Sequence, residues 1–229
     1  MHSPELVIFD CDGVLVDSEI IAARVESEML AKAGFEISPD DLARDYAGLT
    51  FKDILLRIEK DEGLVLQASL IAEAEKLVDQ RLARDVRAIE GALDAVAAVR
   101  TPKCVCSNSS SERIRITLGK TGLLPLFADA IFSAVETPSG LPKPNPDVFL
   151  HAAAAMKADP RRSFVIEDSV HGIAGAKAAG MRVIGFTGAS HSQPGHADAL
   201  TEAGAETVIH RMSDLQSVIA ALSEWAEDA

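Results

Sequence analysis

The chain has 229 residues, of which 48% are hydrophobic and 4% aromatic, and its formal net charge is −13. This hydrophobic content can fill one large core or a core with an insertion. The acidic charge disfavours sequence-independent binding to nucleic acid or to anionic membranes, because both require a positive surface. No apolar run is long enough to cross a bilayer, and no secretory leader is expected.

The three cysteines of the chain, Cys11, Cys104 and Cys106, all lie in apolar stretches. An odd number of cysteines in such surroundings is typical of buried, reduced thiols rather than of a disulfide framework. We therefore expect a cytoplasmic protein.

A helical block follows a first short strand at residues 6–9. Apolar residues recur at every fourth position in segment 20–34, which ends at a glycine and so predicts an amphipathic helix. Ser38 before a proline, and Thr50 with Asp53, predict the starts of two further helices. A fourth helix is predicted over 67–85, and no strand pattern occurs between residues 20 and 87.

Beyond residue 87, short strand patterns alternate with helical patterns. Strands are predicted at 103–108, 130–134, 163–168, 182–186 and 206–210, and helices at 91–99, 111–122, 146–156, 170–179 and 214–226. Such alternation predicts right-handed βαβ units around a parallel sheet. We therefore predict an α/β fold with a catalytic core of residues 1–15 and 88–229 and a helical cap domain, residues 16–87, inserted after the first strand.

Three of the predicted strands end at residues with reactive side chains, and a lysine framed by prolines stands apart from them. They are Asp10 and Asp12, Ser107 and Asn108, Glu167 and Asp168, and Lys143. Ligands of open parallel sheets bind beyond the carboxyl ends of the strands, so we expect these residues to share one cleft. Four carboxylates and one ammonium would leave three uncompensated negative charges, which favours binding of a cation.

Oxygen ligands select a hard divalent ion, and Mg²⁺ commonly shares its shell with waters and phosphate oxygens. A calcium loop is the competing interpretation, but it requires glycine at its sixth position. If Asp10 is counted as the first position, Gly13 is only the fourth. Magnesium beside a carboxylate nucleophile indicates phosphoryl transfer through an aspartyl phosphate. Asp10 would attack phosphorus, Asp12 would transfer protons and Lys143 would offset the charge.

The end of the second strand of the core is a further candidate anion site. We expect Ser107 and the amides that follow it to be able to hold phosphate oxygens. Ser109 and Glu112 form an S-x-x-E pattern, which predicts a helix that begins there with its N-terminus near the phosphate.

Four stretches, "DCDGVLVDSE", "VCSNSS", "LPKPNPDVF" and "VIEDSVHGI", occur in this order. They resemble the four motifs of the haloacid dehalogenase-like hydrolase superfamily, in the branch with a helical cap inserted after the first motif. The resemblance implies a Rossmann-like core, Asp10 as nucleophile, Asp12 as general acid and base, and Ser107 and Lys143 at the phosphate. It also implies Mg²⁺ held by Asp10, the backbone carbonyl of Asp12, Glu167 and Asp168.

Within this branch, "FDCDGVLVDSE" is similar to bacterial sugar-phosphate and phosphogluconate phosphatases, whereas the "EDS" triplet is similar to the β-phosphoglucomutase group. Two departures weaken the mutase interpretation: Ala22 replaces a histidine of the mutases, and the cap loop of Gly48, Leu49 and Thr50 lacks their arginine. Lys52 could replace that arginine, so the alternative stays open.

The predicted substrate-binding residues are Gly48, Leu49 and Thr50 of the cap loop, together with Asn108. A turn with Thr50 as helix cap explains the cap loop equally well.

The sequence therefore predicts a phosphoric monoester hydrolase that uses Mg²⁺ to hydrolyse a small phosphorylated metabolite, either a sugar phosphate or a sugar-acid phosphate. A sugar-phosphate mutase is the first alternative, and a non-enzymatic signalling module with a phosphorylated aspartate is the second. We expect a monomer or a small homo-oligomer.

Overall fold

Six parallel strands form one sheet in the computed structural model, which describes residues 4–46, 50–63, 65, 67–127 and 129–225. The strands are Leu6–Phe9 (β1), Lys103–Ser107 (β2), Ile131–Ser133 (β3), Ser163–Glu167 (β4), Arg182–Phe186 (β5) and Thr207–Ile209 (β6). Their order in the sheet is β3-β2-β1-β4-β5-β6, so that β1 lies between β2 and β4.

The register of the sheet aligns the ends of its central strands. Phe9 of β1 pairs with Val105 of β2 on one side and with Ile166 of β4 on the other. The residues that follow these three strands therefore emerge at the same edge, the carboxyl edge, where open parallel sheets bind their ligands.

Ten helices occur in the described residues. They are Glu19–Lys32 (α1), Pro39–Asp45 (α2), Phe51–Glu62 (α3), Ser69–Asp85 (α4), Ala92–Ala98 (α5), Ser111–Thr121 (α6), Asp147–Met156 (α7), Val170–Ala178 (α8), His196–Glu202 (α9) and Leu215–Trp225 (α10). Short 3₁₀ turns cover Leu124–Leu126, Ala134–Glu136, Pro160–Arg162 and Met212–Asp214.

Both faces of the sheet are covered, which explains why β1 consists only of apolar residues. Val7 and Phe9 join a hydrophobic cluster on one face, and Leu6 and Ile8 join a second cluster on the other. All four side chains are fully buried. Successive side chains of a strand point to opposite faces, so a strand covered on both sides needs an unbroken apolar run.

The four helices α1 to α4 lie between β1 and α5 in the chain and have a hydrophobic cluster of their own, which includes Leu30, Leu42 and Ile58. The segments that enter and leave this helical insertion run side by side. Val16 forms an antiparallel bridge with Ala88. The division of the chain into a cap domain of residues 16–87 and a core stays a prediction.

The predicted α/β class with a Rossmann-like parallel sheet is confirmed, and each of the six predicted strands is present. Sequence reasoning missed α9, which is seven residues long and has Gly195, a residue without a capping side chain, at its N-cap. None of the helices in the described part of the chain has the length and apolar character that a membrane span requires.

Candidate active site

The ammonium group of Lys143 lies at the centre of a buried polar cluster at the carboxyl edge of the sheet. Its Nζ donates to Asp10 Oδ1 at 2.5 Å, to Glu167 Oε1 at 2.7 Å and to the backbone oxygen of Cys106 at 2.7 Å. An ammonium has three donors, and all three are used here. Lys143, Asp10 and Glu167 are buried, so each of these contacts is shielded from water.

Burial and the neighbouring charges together shift the pKa values of Asp10 and Lys143. Burial raises the pKa of Asp10, Lys143 lowers it by less, and Glu167 and Asp168 raise it further, so that the pKa lies well above its usual value. Burial lowers the pKa of Lys143, but Asp10 and Glu167 outweigh burial and hold it above its usual value. An additional cation beside Asp10 would therefore help to keep its carboxylate ionised.

Three carboxylates of this cluster can hold a metal ion. Asp10, Glu167 and Asp168 each offer an oxygen atom, and these atoms lie within 4.8 Å of one another. Three ionised carboxylates beside one ammonium leave an excess of two negative charges. An all-oxygen donor set with that excess fits a hard divalent cation such as Mg²⁺.

The side chain of Asp12 is held by hydroxyl groups. Ser18 Oγ donates to Asp12 Oδ1 at 2.7 Å, and Ser109 Oγ and Ser107 Oγ donate to Oδ2 at 2.7 and 3.3 Å. Because Ser18 immediately precedes α1, these bonds connect the catalytic loop, our name for residues 10–15 after β1 with its proposed catalytic aspartates, to the first residues of the helical insertion.

The predicted helix start at Ser109 is wrong by one residue. Ser110 caps α6, and its hydroxyl accepts from the backbone N–H of Arg113 at 3.3 Å. Ser109 lies one position earlier in the turn, where its hydroxyl reaches Asp12. The S-x-x-E pattern missed this because it describes only contacts within the chain segment, whereas the contact with Asp12 joins positions 97 residues apart.

The predicted substrate-binding residues have different surroundings. Asn108 is exposed at the end of β2, and its Oδ1 accepts from the backbone N–H of Lys143 at 2.8 Å, which fixes the loop that carries the lysine. Thr50 caps α3 through the backbone N–H of Asp53 at 3.2 Å. Gly48 and Leu49 lie outside the described residues, and a role in substrate binding stays a prediction for all four.

Two histidines that sequence reasoning missed also face this edge of the sheet. His191 Nε2 lies 3.2 Å from Asp168 Oδ2, and His196 Nε2 lies 2.7 Å from the backbone oxygen of Asp168. Both histidines follow β5. The rule that drew attention to the ends of the other strands would have found them if it had been applied to this strand.

Two glutamates of α1 extend the negative charge of the site into the helical insertion. Glu19 retains exposed surface at the start of the helix, yet the surrounding protein and the charges of Asp12 and Asp168 raise its pKa to about 7. The half-buried Glu26 has its pKa raised to about 7 by burial and by the charge of Glu19. The two side chains share one face of the helix, since seven residues complete nearly two turns.

Glu26 should make the stability of the protein depend on pH. Its pKa is about 7 in the folded chain and 4.5 for an unperturbed glutamate, so the folded chain binds this proton more tightly than the unfolded chain does. The residue therefore lowers the free energy of unfolding as the pH rises from about 4.5 to about 7. We expect Glu26→Gln to raise the free energy of unfolding by about 1–3 kcal/mol at pH 8 and by clearly less at pH 5.

Urea denaturation at the two pH values measures this difference, and the exposed Glu73, changed to glutamine, is the matched control. An equal effect of Glu26→Gln at both pH values would show that its charge is not responsible.

Gly172 of α8 makes room for the buried carboxylate of Glu167. A Cβ atom at this position would overlap the Oε1, Cδ and Oε2 atoms of Glu167. Glu167 cannot move aside freely, because Lys143 and Ser169 also bind its carboxylate. We expect Gly172→Ala to destabilise the fold by about 1–3 kcal/mol and to weaken metal binding.

Thermal unfolding with and without Mg²⁺ tests this prediction, and Gly180→Ala is unsuitable as a control because Gly180 has a φ of 77°. Gly119→Ala is the better control, because Gly119 lies within α6 and its nearest neighbour is an ordinary contact at 3.8 Å. A Gly172→Ala protein with unchanged stability and unchanged stabilisation by Mg²⁺ would contradict the argument.

Comparison with known proteins shows the family of the chain. The family model of the haloacid dehalogenase-like hydrolases matches residues 4–180. The chain is 32% identical to the 6-phosphogluconate phosphatase of Escherichia coli K12, across 85% of this chain and 87% of that protein. It is 30% identical to hexitol phosphatase B of the same strain, across 77% and 81%.

Solved structures agree with this assignment. A haloacid dehalogenase-like protein of unknown function from Agrobacterium tumefaciens has a TM-score of 0.92 and 56% identity, covering 96% of this chain and 100% of that one. A hydrolase from Deinococcus radiodurans, solved with bound phosphate and sodium, has a TM-score of 0.83 and 32% identity, covering 96% and 97%. The predicted resemblance and the prediction of a hydrolytic enzyme are thus confirmed, and the chain belongs to the haloacid dehalogenase-like hydrolase family.

Proposed function

We propose that this protein is a Mg²⁺-dependent phosphatase that hydrolyses a small phosphorylated sugar or sugar acid through an aspartyl phosphate at Asp10. The observation that carries the proposal is the buried carboxylate of Asp10, which is bound by Lys143 and lies beside Glu167 and Asp168. Asp10, Glu167 and Asp168 would hold the ion, which when bound would neutralise charge on the phosphoryl group.

The first half of the reaction transfers the phosphoryl group to the enzyme. A carboxylate oxygen of Asp10 bonds to phosphorus while the bond between phosphorus and the ester oxygen breaks. Asp12 gives a proton to the departing oxygen, which leaves as a hydroxyl group. Lys143 favours the reactive ionised form of Asp10, because an ammonium in contact lowers the pKa of the carboxyl, and the bound ion would add to this effect.

The second half regenerates the enzyme. Asp12, now ionised, takes a proton from a water molecule whose oxygen attacks phosphorus, and the bond between Asp10 and phosphorus breaks to release phosphate. The hydroxyl groups of Ser18, Ser107 and Ser109 orient the Asp12 carboxylate between these two proton transfers. Ser107 is also available to a phosphate oxygen, since it lies at the end of β2 beside this cluster.

The class of substrate is proposed from the relatives and from the fold. Two relatives with at least 30% identity are named phosphatases of phosphogluconate and of hexitol. The helical insertion follows the catalytic loop directly, and a cap over the cleft would admit a small metabolite more readily than a folded phosphoprotein. The buried free thiols fit the proposed cytoplasmic location.

The mutase alternative is the weaker one. Ala22 takes the place of the histidine that the mutase pattern requires, and its side chain packs against the hydrophobic cluster of the core. No proton-carrying group is therefore available at that position to help retain and reorient a bisphosphate. A signalling module is weaker still, because the chain belongs to a family of hydrolases.

Phosphate release from a panel of phosphorylated sugars, sugar acids, polyols and one phosphoprotein tests the proposal, with Mg²⁺ present and after chelation. We expect release from some of the small compounds, dependence on the metal, and no release from the phosphoprotein. Isomerisation of a sugar phosphate that requires a bisphosphate activator and yields no free phosphate would support the mutase instead.

A further inference from the structure

The loop between β5 and α9, residues 187–195, approaches the proposed metal ligand Asp168. His191 on this loop lies with Nε2 at 3.2 Å from Asp168 Oδ2. His196, the first residue of α9, lies with Nε2 at 2.7 Å from the backbone oxygen of Asp168. One aspartate thus has two imidazole neighbours, one at its side chain and one at its main chain.

Both imidazoles act as donors toward Asp168. A backbone carbonyl can only accept, so Nε2 of His196 must carry the hydrogen, and its Nδ1 then lies 3.0 Å from the hydroxyl of Ser192, which can donate to it. An ionised carboxylate is likewise only an acceptor, so His191 also donates through Nε2. The hydrogen bonds therefore fix the orientation of both rings relative to Asp168.

The catalytic loop leaves little space around this contact. Gly13 has a φ of 76°, and a Cβ at this position would overlap Asp168 Oδ2 and lie 2.9 Å from His191 Cε1. The carboxylate and the imidazole thus fill the space directly beside the backbone of Gly13. Asp168 is consequently restricted on one side by the catalytic loop and on another by His191.

The loop itself is fixed to the segment that leads into the helical insertion. The hydroxyl of Ser190 donates to Asp17 Oδ1 at 2.8 Å, and its backbone N–H donates to the same oxygen at 3.3 Å. His191 is the next residue, so this double contact limits the movement of its backbone. The contacts of Ser190 with Asp17 therefore help to hold the imidazole of His191 beside Asp168.

We propose that His191 and His196 are positioning residues that hold Asp168 in the orientation required for binding the metal ion. The proposal rests on the metal site of the proposed function, but not on the identity of the substrate. Partners that orient a metal ligand commonly change metal affinity by about 10- to 100-fold when they are removed. A free Asp168 would have to be ordered each time that an ion binds, which lowers affinity without removing a ligand.

The test measures the affinity of the whole protein for Mn²⁺, a paramagnetic substitute for Mg²⁺, in the absence of substrate. Electron paramagnetic resonance reports the concentration of free Mn²⁺ and hence the amount bound. Four variants are compared: His191→Ala, His191→Gln, His196→Ala and, as a matched control, His151→Ala on the exposed surface of α7. Glutamine is informative because its amide can place a donor close to the position of Nε2 of histidine.

We expect His191→Ala to weaken Mn²⁺ binding by about 10-fold or more, and His191→Gln to restore most of the loss. His151→Ala should bind Mn²⁺ as the native protein does. His196→Ala should also weaken Mn²⁺ binding, because it releases the backbone of Asp168. Native affinity in His191→Ala, or equal losses in the alanine and glutamine variants, would overturn the proposal.

Steady-state kinetics separates this role from a loss of folding. The Mg²⁺ concentration for half-maximal activity should rise in His191→Ala, whereas kcat at saturating Mg²⁺ and the melting temperature in chelator should stay close to native values. If the native protein binds Mn²⁺ through these residues but releases no phosphate from any compound, the proposed function fails and the positioning role stands. If the native protein binds no Mn²⁺, the positioning role fails as well.

Discussion

Changing Asp10 to asparagine is expected to lower phosphate release by at least about a thousandfold while leaving the fold intact. The amide of asparagine has nearly the shape of the carboxylate but is a far weaker nucleophile toward phosphorus. No described carboxylate can replace Asp10: Glu167 ends β4 and Asp168 follows it, whereas Asp10 follows β1, and Asp12 is held by three hydroxyls. The reaction therefore loses its first step.

Stability should respond quite differently from activity. Burial raises the pKa of Asp10, which means that its charge is costly to the fold, and the neutral amide removes that cost. We expect the melting temperature of Asp10→Asn in chelator to equal or exceed the native value. Asp94→Asn, on the exposed surface of α5, should leave both activity and stability unchanged. A variant at position 10 that keeps a tenth of the native rate would exclude Asp10 as the nucleophile.

The convergence of the site could be predicted because it follows from the backbone. β1, β2 and β4 are adjacent and in register, so Asp10, Ser107 and Glu167 had to emerge at the same edge once the parallel sheet was recognised. The apolar run of β1 was equally informative, because only a strand covered on both faces has this composition. The alternation of strand and helix patterns predicts the fold, and the residues at the strand ends predict the candidate metal cluster.

The orientation of side chains in the loops could not be predicted in the same way. Asn108 Oδ1 accepts from the main-chain N–H of Lys143, 35 residues away, a contact that the sequence does not indicate. Asp12 binds the hydroxyls of Ser18 and Ser109, which reach it from two different loops. Such contacts depend on the conformation of each loop and on which loops meet. Neither the periodicity nor the spacing of residues in one sequence predicts these two properties.

The charge balance of the buried cluster leads to the second large effect, which concerns Lys143. Changing this residue to methionine retains much of its volume but removes the ammonium that binds both Asp10 and Glu167. Removing one partner of a buried ion pair commonly destabilises a protein by about 3–5 kcal/mol, because the remaining charge is left uncompensated. We expect a loss of about this size in the free energy of unfolding at pH 7 in chelator.

Two dependences identify uncompensated carboxylates as the cause of this loss. Lowering the pH to 5 should reduce the difference between Lys143→Met and the native protein, because burial and mutual repulsion raise the pKa of Asp10 and a protonated carboxyl no longer needs a cation. Adding Mg²⁺ should stabilise the variant more than the native protein, since the ion would then supply the missing positive charge.

Urea denaturation under these conditions measures both effects, and Lys120→Met on the exposed surface of α6 is the control. If Lys143→Met had native stability in chelator at pH 7, Asp10 and Glu167 would not both carry a charge in the free enzyme. The proposed nucleophile, Asp10, would then need another group to ionise it.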